Sequence, residues 1–211
     1  MIEGGEMKGE GIFLSLLLIV STSLVVSGCV KVEHEVVEAT RPEWKIGDYW
    51  EFRYKDPKVK SYTMKLLEKK EFEGTMCYVL VDEEIGAERY YTLDLNNKAL
   101  VVGGGVIYKY EPEVRHLDWP LWVGKKWHHS YVVIPAIGRR PRVEADFEVV
   151  RIEKVRVPAG RFIAFKIIQK VRGRILREMW YSPEVKFFIR YKTDFKGRRP
   201  IKNELLEYRV Q

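Results

Sequence analysis

From Trp44 onward, apolar and polar residues alternate with the period of two that is typical of β-strands. The segment 49–55 shows this most clearly, because Trp50, Phe52 and Tyr54 alternate with charged neighbours. No long stretch of this region has a helical period. The pattern predicts twelve strands, at about 49–55, 59–69, 75–83, 88–95, 99–102, 106–110, 126–134, 143–155, 162–171, 174–182, 187–194 and 202–210. We therefore expect an all-β domain of antiparallel strands, either a sandwich or a partly closed barrel.

Three short motifs occur twice in the same order, which predicts a tandem repeat of β units. In the first motif, a bulky residue, a β-branched residue, a glycine and a tryptophan recur at fixed spacing. The matched segments are 44–50 with 121–127, 73–79 with 159–165, and 90–94 with 180–184. We expect a first unit at 44–118 and a second at 119–211 within one compact domain. Trp50 and Trp127 should then occupy equivalent core positions.

Ahead of the β region lies an apolar segment, Ile12–Val26, broken only by Ser and Thr. Its length of about 15 residues is short for a membrane-spanning helix, which needs about 20, but suits the core of a signal peptide. The segment ends in Val26-Ser-Gly-Cys29, which resembles the lipobox of exported lipoproteins. The resemblance implies that residues 1–28 are a signal peptide and that Cys29 carries lipid.

Residues 29–43 would then be the lipidated cysteine and a polar tether that holds the domain at the outer face of the cell membrane. The alternative is an uncleaved anchor helix with an incidental cysteine, which would tether the domain to the same face. Glu3, Glu6 and Glu10 outnumber Lys8, although a signal peptide should begin with positive charge. A start at Met7 removes this conflict, so we interpret residues 1–6 as an untranslated leader.

The composition is that of a globular protein, with 46% hydrophobic and 32% charged residues. Only five of the 211 residues are Asn or Gln, whereas Lys, Arg and Glu are abundant, which indicates a heat-adapted source. If Cys29 is lipidated, Cys77 has no partner for an intrachain disulfide. Both faces of the strand around Cys77 are apolar, so we expect a buried structural thiol.

The basic residues are concentrated in the second half of the chain. Residues 30–125 hold 15 basic and 18 acidic residues, a net charge of −3, whereas residues 126–211 hold 21 and 9, a net charge of +12. The excess clusters at expected strand ends, namely Arg139, Arg140, Arg142, Arg172, Arg174, Lys196, Arg198 and Arg199. These residues form either an ordinary solvated surface or a contact for anionic headgroups, a cell-surface polymer or an acidic protein. Nucleic acid is excluded as a partner of an outward-facing domain.

The sequence contains neither a phosphate-binding glycine loop nor a nucleophile-elbow serine. On a strand, His128 and His129 point to opposite faces, so they would chelate a metal only with acids from other strands. The acidic run 82–84 could pair with Asp94 as glycosidase-like carboxylates, but a solvated loop explains it more simply. Gly103–Gly105 is best read as a hairpin turn. We therefore predict no catalytic site, no metal and no cofactor.

Part of the second half carries a recognisable signature. Val157-Pro-Ala-Gly-Arg-Phe162 is followed by Trp180-Tyr-Ser-Pro-Glu184. This resembles a turn–strand–strand pattern, V-P-A-G-x-F then W-[YF]-S-P-[DE], of a group of exported β-domain lipoproteins of unknown function. The resemblance covers about 145–192. It implies an exported β fold and carries no activity with it.

These observations favour a non-enzymatic, membrane-anchored binding or envelope-associated module. A second hypothesis is a lipid or hydrophobic-ligand carrier, in which the strands surround an apolar cavity with 119–122 at its mouth. A third is an exported hydrolase. A filled core would favour the binding module, and an open apolar cavity of several hundred Å³ would favour the carrier.

The lipid assignment predicts that Cys29→Ser abolishes acylation, because the thioether requires the thiol of this residue. Cells fed labelled palmitate should incorporate label into the wild type and not into the variant. Cys77→Ser is the matched control and should leave the label in place. Equal labelling of wild type and Cys29→Ser would contradict the assignment.

Overall fold

The computed structural model describes residues 38–54, 61–195 and 200–211. Within these ranges the chain forms strands and turns and no helix, and therefore no helical segment that could span a membrane. The strands are β1 (Glu38–Ala39), β2 (Tyr49–Tyr54), β3 (Tyr62–Phe72), β4 (Thr75–Asp82), β5 (Ala87–Thr92), β6 (Asn97–Val102), β7 (Gly105–Val114), β8 (Leu121–Trp122), β9 (Lys126–Pro135), β10 (Arg142–Val157), β11 (Gly160–Val171), β12 (Arg174–Ser182), β13 (Phe187–Thr193) and β14 (Ile201–Arg209). Each of the twelve predicted strands coincides with one of these, so the all-β prediction is confirmed.

Twelve strands, β2–β7 and β9–β14, form one closed antiparallel barrel. Each barrel strand pairs with the next barrel strand along the chain, so β7 pairs with β9. The last strand, β14, pairs with β2, where Leu205 lies opposite Phe52. The barrel is thus complete, whereas the sequence left open a sandwich or a partly closed barrel. β1 and β8 form a separate two-stranded sheet through Ala39 and Leu121.

Because neighbouring strands run in opposite directions, their connections alternate between the two ends of the barrel. One end, which we call the cavity end, carries the turns at 83–86, 103–104, 136–141 and 172–173. The other, which we call the plugged end, carries 73–74, 93–96, 115–125, 158–159 and 183–186. The first described residue, Glu38, pairs with Trp122 and therefore lies at the plugged end.

Aromatic side chains fill the barrel beside the plugged end. A twelve-stranded barrel is wider than an eight-stranded one, whose interior side chains just fill it, so large residues are needed here. Trp44 precedes β2 and is buried, with its ring centroid 5.1 Å from Trp50 and 5.3 Å from Phe187. Its indole Nε1 donates to the carbonyl oxygen of Lys186 at 2.9 Å, which fixes the ring at the barrel mouth. Leu121 is fully buried beside it.

Two matched turns introduce the two halves of the barrel. Gly47 and Gly124 have φ angles of 98° and 93°, which favour glycine because an added Cβ is strained there. The amide of Gly47 donates to the carbonyl of Leu66 at 2.9 Å, and that of Gly124 to the carbonyl of Val149 at 2.8 Å. The strand register then shifts just after Leu66 and just after Val149. A duplicated unit predicts such matches, and the tandem repeat stays a prediction.

The paired tryptophans differ in burial. Trp50 is fully buried, whereas Trp127 is half-buried and stacks on Phe147 with ring centroids 5.2 Å apart. Each indole Nε1 donates to a main-chain carbonyl at 2.9 Å, that of Val185 for Trp50 and that of Arg115 for Trp127. Trp127 lies at the edge of the core and is less buried than Trp50. The expectation that the two tryptophans occupy equivalent core positions is therefore wrong.

Cys77 is fully buried in a second apolar cluster. Its neighbour on β4, Tyr78, belongs to the main core, so the Cys77 side chain lies on the opposite face of the strand. Val79 and Tyr90 pack in the same cluster. Burial raises the pKa of the thiol to about 11, which keeps it protonated and unreactive at neutral pH. The prediction of a buried structural thiol is confirmed.

Trp50→Ala should destabilise the protein by about 3–5 kcal/mol, because it removes a fully buried ring and a hydrogen bond and leaves a cavity. Trp122→Ala is the matched control, since that ring is 42% exposed and contacts the ammonium group of Lys125. Its cost should stay below about 1 kcal/mol. Urea unfolding measures both, and equal losses would contradict the aromatic plug.

Candidate functional site

A cavity of about 170 Å³ lies inside the barrel. Tyr62 is the first residue of β3, Arg89 the third of β5 and Arg177 the fourth of β12. These strands start at the cavity end, so the cavity lies towards that end. The described lining residues are Tyr62, Met64, Arg89, Tyr91, Asn97, Tyr108, Tyr110, His116, Arg177, Phe187, Tyr191, Thr193 and Asn203.

Two guanidinium groups lie in this lining, and no Asp or Glu is among its described residues. The Arg89 guanidinium lies over the Tyr62 ring, with 5.1 Å from its central carbon to the ring centroid. Its Nη1 is buried and has no hydrogen-bond partner within the described chain. A buried N–H of a charged group without an acceptor is costly, so this atom marks a place where an acceptor is missing.

The second guanidinium is held by neutral groups. Arg177 Nε donates to Thr193 Oγ1 at 3.2 Å, and Nη1 lies 2.7 Å from His116 Nε2. An arginine cannot accept, so His116 Nε2 is the acceptor and the imidazole is neutral. Burial, and then the charge of Arg177, lower the pKa of His116 well below its usual value near 6.5. Neutral groups therefore hold the Arg177 guanidinium in place and leave its positive charge uncompensated.

Five tyrosines surround the two arginines. Burial raises the pKa of every one of them, so their hydroxyl groups stay neutral; they are Tyr62, Tyr91, Tyr108, Tyr110 and Tyr191. Asn203 Nδ2 donates to the Tyr62 hydroxyl at 3.3 Å. The Oδ1 atoms of Asn97 and Asn203 are buried and unpaired within the described residues. The cavity is therefore cationic and offers hydrogen-bond donors and acceptors at once.

None of the predicted basic residues that the structure describes lines this cavity. Arg139, Arg140, Arg142, Arg172 and Arg174 belong to connections at the cavity end or to the strand residues beside them, so alternation does bring them to one end of the barrel. Their contact with an anionic surface stays a prediction. Cys29, Lys196, Arg198 and Arg199 lie outside the described residues.

The adjacent histidines point to opposite faces, as predicted. His128 is exposed, with Nδ1 2.8 Å from Asp146 and Nε2 3.0 Å from Glu144, and these hydrogen bonds raise its pKa. His129 is buried, with Nε2 2.7 Å from the carbonyl oxygen of Glu113. In the described part of the chain, no group of three or more His, Cys, Asp or Glu is arranged to hold a metal.

The acidic run after β4 does not form a carboxylate pair. Asp82 is buried and not solvated. Its carboxylate accepts from the amide of Thr63 at 3.3 Å and from the amide of Glu84 at 3.2 Å. It therefore stabilises the turn that follows β4. Asp94 lies in a turn at the plugged end, whereas Asp82 lies at the cavity end. The sequence missed this structural role of Asp82.

The segment 119–122 does not line this cavity. Trp119 packs edge-on against Tyr181, with ring centroids 5.2 Å apart, and its Nε1 donates to the carbonyl of Asp94 at 3.0 Å. Trp122 lies on β8, and both tryptophans are therefore at the plugged end. The carrier hypothesis placed them at the opening of an apolar cavity, whereas the cavity here is small and polar.

Sequence reasoning missed Arg89 and Arg177, although a signal exists. Arg89 shares the phase of Tyr91 on β5, and Arg177 shares the phase of Met179 and Tyr181 on β12. Tyr91, Met179 and Tyr181 are buried, so each arginine stands at an inward position of its strand. A charged residue in the apolar phase of a strand is the feature that would have identified the site.

No protein-family model matches the sequence, and no curated protein matches it either. Three solved structures are similar in fold. A protein of Parabacteroides distasonis assigned as a lipoprotein is 14% identical, with a TM-score of 0.41, covering 81% of this chain and 99% of that chain. A protein of Bacteroides fragilis, described as exported and YmcC-like in fold, is 13% identical, with a TM-score of 0.46 and coverages of 81% and 99%. The hypothetical lipoprotein YmcC of Escherichia coli is 7% identical, with a TM-score of 0.38 and coverages of 76% and 83%.

The His116 contact predicts a pH dependence of stability. The folded state holds this imidazole neutral, whereas the unfolded chain takes up a proton near pH 6.5. His116 therefore contributes stability above about pH 6.5 that is lost as the pH falls towards its folded pKa. His116→Gln keeps an acceptor for Arg177 and should flatten the fall in melting temperature between pH 7.5 and 5.

His128→Gln is the matched control and should change the profile with the opposite sign. The pKa of His128 is raised in the folded state, so its contribution is present below about pH 6.5 and is lost as the pH rises through the folded value. A wild-type profile that His116→Gln leaves unchanged would contradict the neutral His116.

Proposed function

We propose that this chain is a lipid-anchored, extracytoplasmic, non-enzymatic binding module whose barrel cavity holds a small anionic ligand. One observation carries the proposal. Arg89 and Arg177 both line one interior cavity, and no acidic residue is among the described residues around them. Salt bridges or solvent usually compensate arginines, whereas this pair has no acidic residue in the described lining and is only partly exposed to solvent.

The two arginines carry an energetic cost whenever no anion is bound. Two guanidinium groups in the lining of one cavity repel, and their partial removal from water costs several kcal/mol without a compensating anion. An anion that accepts from both groups recovers this cost on binding. Arginine also suits the task, since its planar N–H groups match carboxylate and phosphate oxygens.

The charge around the cavity also supports an anionic ligand. The second half of the chain has a net charge of +12, and Arg139, Arg140 and Arg172 lie in connections at the cavity end. A positive end around a positive cavity raises the local concentration of anions and speeds their association. The basic excess that the sequence reveals would then serve to attract the ligand towards the cavity.

The path of the chain supports an outward-facing cavity. Glu38 lies at the plugged end, nine residues after Cys29, and nine extended residues span at most about 32 Å. A lipid on Cys29 would therefore hold the domain by its plugged end. The basic residues of the cavity end would face a soluble anion or polymer more readily than the headgroups of the same membrane.

The cavity supports binding over the two alternatives. Its tyrosines are protonated and its arginines are poor proton acceptors, while His116 has a lowered pKa and its Nε2 already accepts from Arg177, so the described lining supplies no free general base. Its small volume and polar lining suit neither an acyl chain nor another large hydrophobic ligand. The resemblance of 157–162 and 180–184 to exported β-domain lipoproteins agrees with the location and leaves the ligand to be found.

The proposal predicts that anions raise the melting temperature through the two arginines. A ligand at 100 times its Kd stabilises by about 2.7 kcal/mol, which corresponds to a shift of roughly 5–10 °C for a domain of this size. A panel of sulfate, phosphate, acetate and larger organic acids should include at least one such ligand. Arg89→Gln with Arg177→Gln should abolish the shift and leave the ligand-free protein at least as stable as wild type.

Arg174→Gln is the matched control, since Arg174 is exposed at the cavity end and is not among the lining residues. It should lower the association rate at low salt and keep the shift. A panel in which no anion stabilises the wild type beyond the double variant would overturn the proposal. If Arg174→Gln alone abolished the shift in melting temperature, the anion would bind at the surface and not in the cavity.

A further inference from the structure

The unpaired polar atoms of the cavity specify more than charge. Arg89 Nη1 requires an acceptor, whereas Asn97 Oδ1 and Asn203 Oδ1 require donors. Resting on the proposed function, we infer that the ligand is a small hydroxylated carboxylate, a compact acid that carries several hydroxyl groups. The carboxylate would lie between Arg89 and Arg177, and the hydroxyl groups would donate to the two amide oxygens.

The two arginines require a ligand that accepts hydrogen bonds. Arg177 already uses Nε and Nη1 on Thr193 and His116, which fixes the plane of its guanidinium and leaves further N–H groups for a ligand. Arg89 is held over the Tyr62 ring with Nη1 unpaired. Two fixed guanidinium groups favour a planar anion, and a carboxylate accepts through two oxygens and about four lone pairs.

The two amide oxygens require a ligand that donates hydrogen bonds. Asn203 donates its Nδ2 to the Tyr62 hydroxyl, and the Oδ1 atoms of Asn97 and Asn203 are both buried and unpaired within the described chain. A fully ionised sulfate or a simple carboxylate has no O–H to donate to them. A hydroxylated acid satisfies both oxygens and thereby removes their burial cost.

Size and shape set the upper limit. A cavity of about 170 Å³ holds roughly five or six water molecules, which is the space of a monosaccharide-sized acid and not of a lipid tail. Its walls also include the rings of Tyr91, Tyr108 and Tyr191. Such rigid rings suit the C–H faces of a compact polyol.

Calorimetric titration of the purified full-length protein tests this inference. The probes are D-glucuronate and D-gluconate as hydroxylated carboxylates, D-glucose as the neutral analogue, and acetate and sulfate as anions without hydroxyl donors, all at one ionic strength. At least one of the two hydroxylated acids should bind about tenfold or more tighter than glucose, acetate and sulfate, because only such acids meet both requirements. The combined Arg89→Gln and Arg177→Gln variant should reduce its affinity to that of glucose.

The amide variants separate the ligand class from simple anion binding. Asn97→Ala with Asn203→Ala should weaken the hydroxylated acid by about tenfold and leave acetate binding unchanged. Asn203→Asp keeps the shape of the side chain, so it serves if the alanine variants fold poorly. Its added charge should weaken the acid and spare glucose, and Arg174→Gln should change neither.

The outcomes distinguish the two claims. If sulfate or acetate binds as tightly as both hydroxylated acids, and the amide variants bind them as wild type does, the ligand class is overturned while the anion site stands. If neither hydroxylated acid binds and another anion does, the class is likewise overturned. If no anion binds through Arg89 and Arg177, the proposed function fails and the inference fails with it.

Discussion

Closure of the sheet is the constraint on which the rest of the structure depends. Twelve strands joined from β2 round to β14 leave no sheet edge, but they enclose more space than their own inward side chains can fill. The chain fills one end with Trp44, Trp50 and Phe187 and with the buried connection around Leu121. The space that remains lies at the other end. The cavity thus follows from the width of the barrel and from the one-sided placement of the aromatic plug.

The two parts of the interior have opposite chemistry, and this contrast is informative. Around Trp44 the rings pack against each other, and indole N–H groups meet main-chain carbonyls. Around Arg89 a charged N–H and two amide oxygens have no partner among the described residues. A cavity that leaves a charged N–H and two amide oxygens unpaired has exchanged some stability for a site. The thermal stability of the arginine variants measures that exchange directly.

The sequence predicted the strands well and the site poorly, for physical reasons. Alternation is a local property, so Trp50 and Phe52 suffice to mark β2. Closure depends on Leu205 meeting Phe52, and no local pattern encodes that pairing. Arg89 and Arg177 come to line one cavity only through the same closure, which is why counting charges led to the loops and not to the cavity. Burial of Cys77 was predictable because its strand is apolar on both faces, whereas the partial exposure of Trp127 depends on Phe147 from another strand.

The seam between β14 and β2 also determines when the domain can form. Leu205 and Phe52 lie about 150 residues apart, whereas every other barrel pairing joins strands that follow each other along the chain. Contacts between distant segments carry a large loop-closure entropy and slow folding, so the hairpins should form early and the seam last. Until then β2 and β14 present unpaired edges that can join a second copy. A chain of this design is therefore most vulnerable to aggregation in the interval between synthesis of its last strand and closure of the seam.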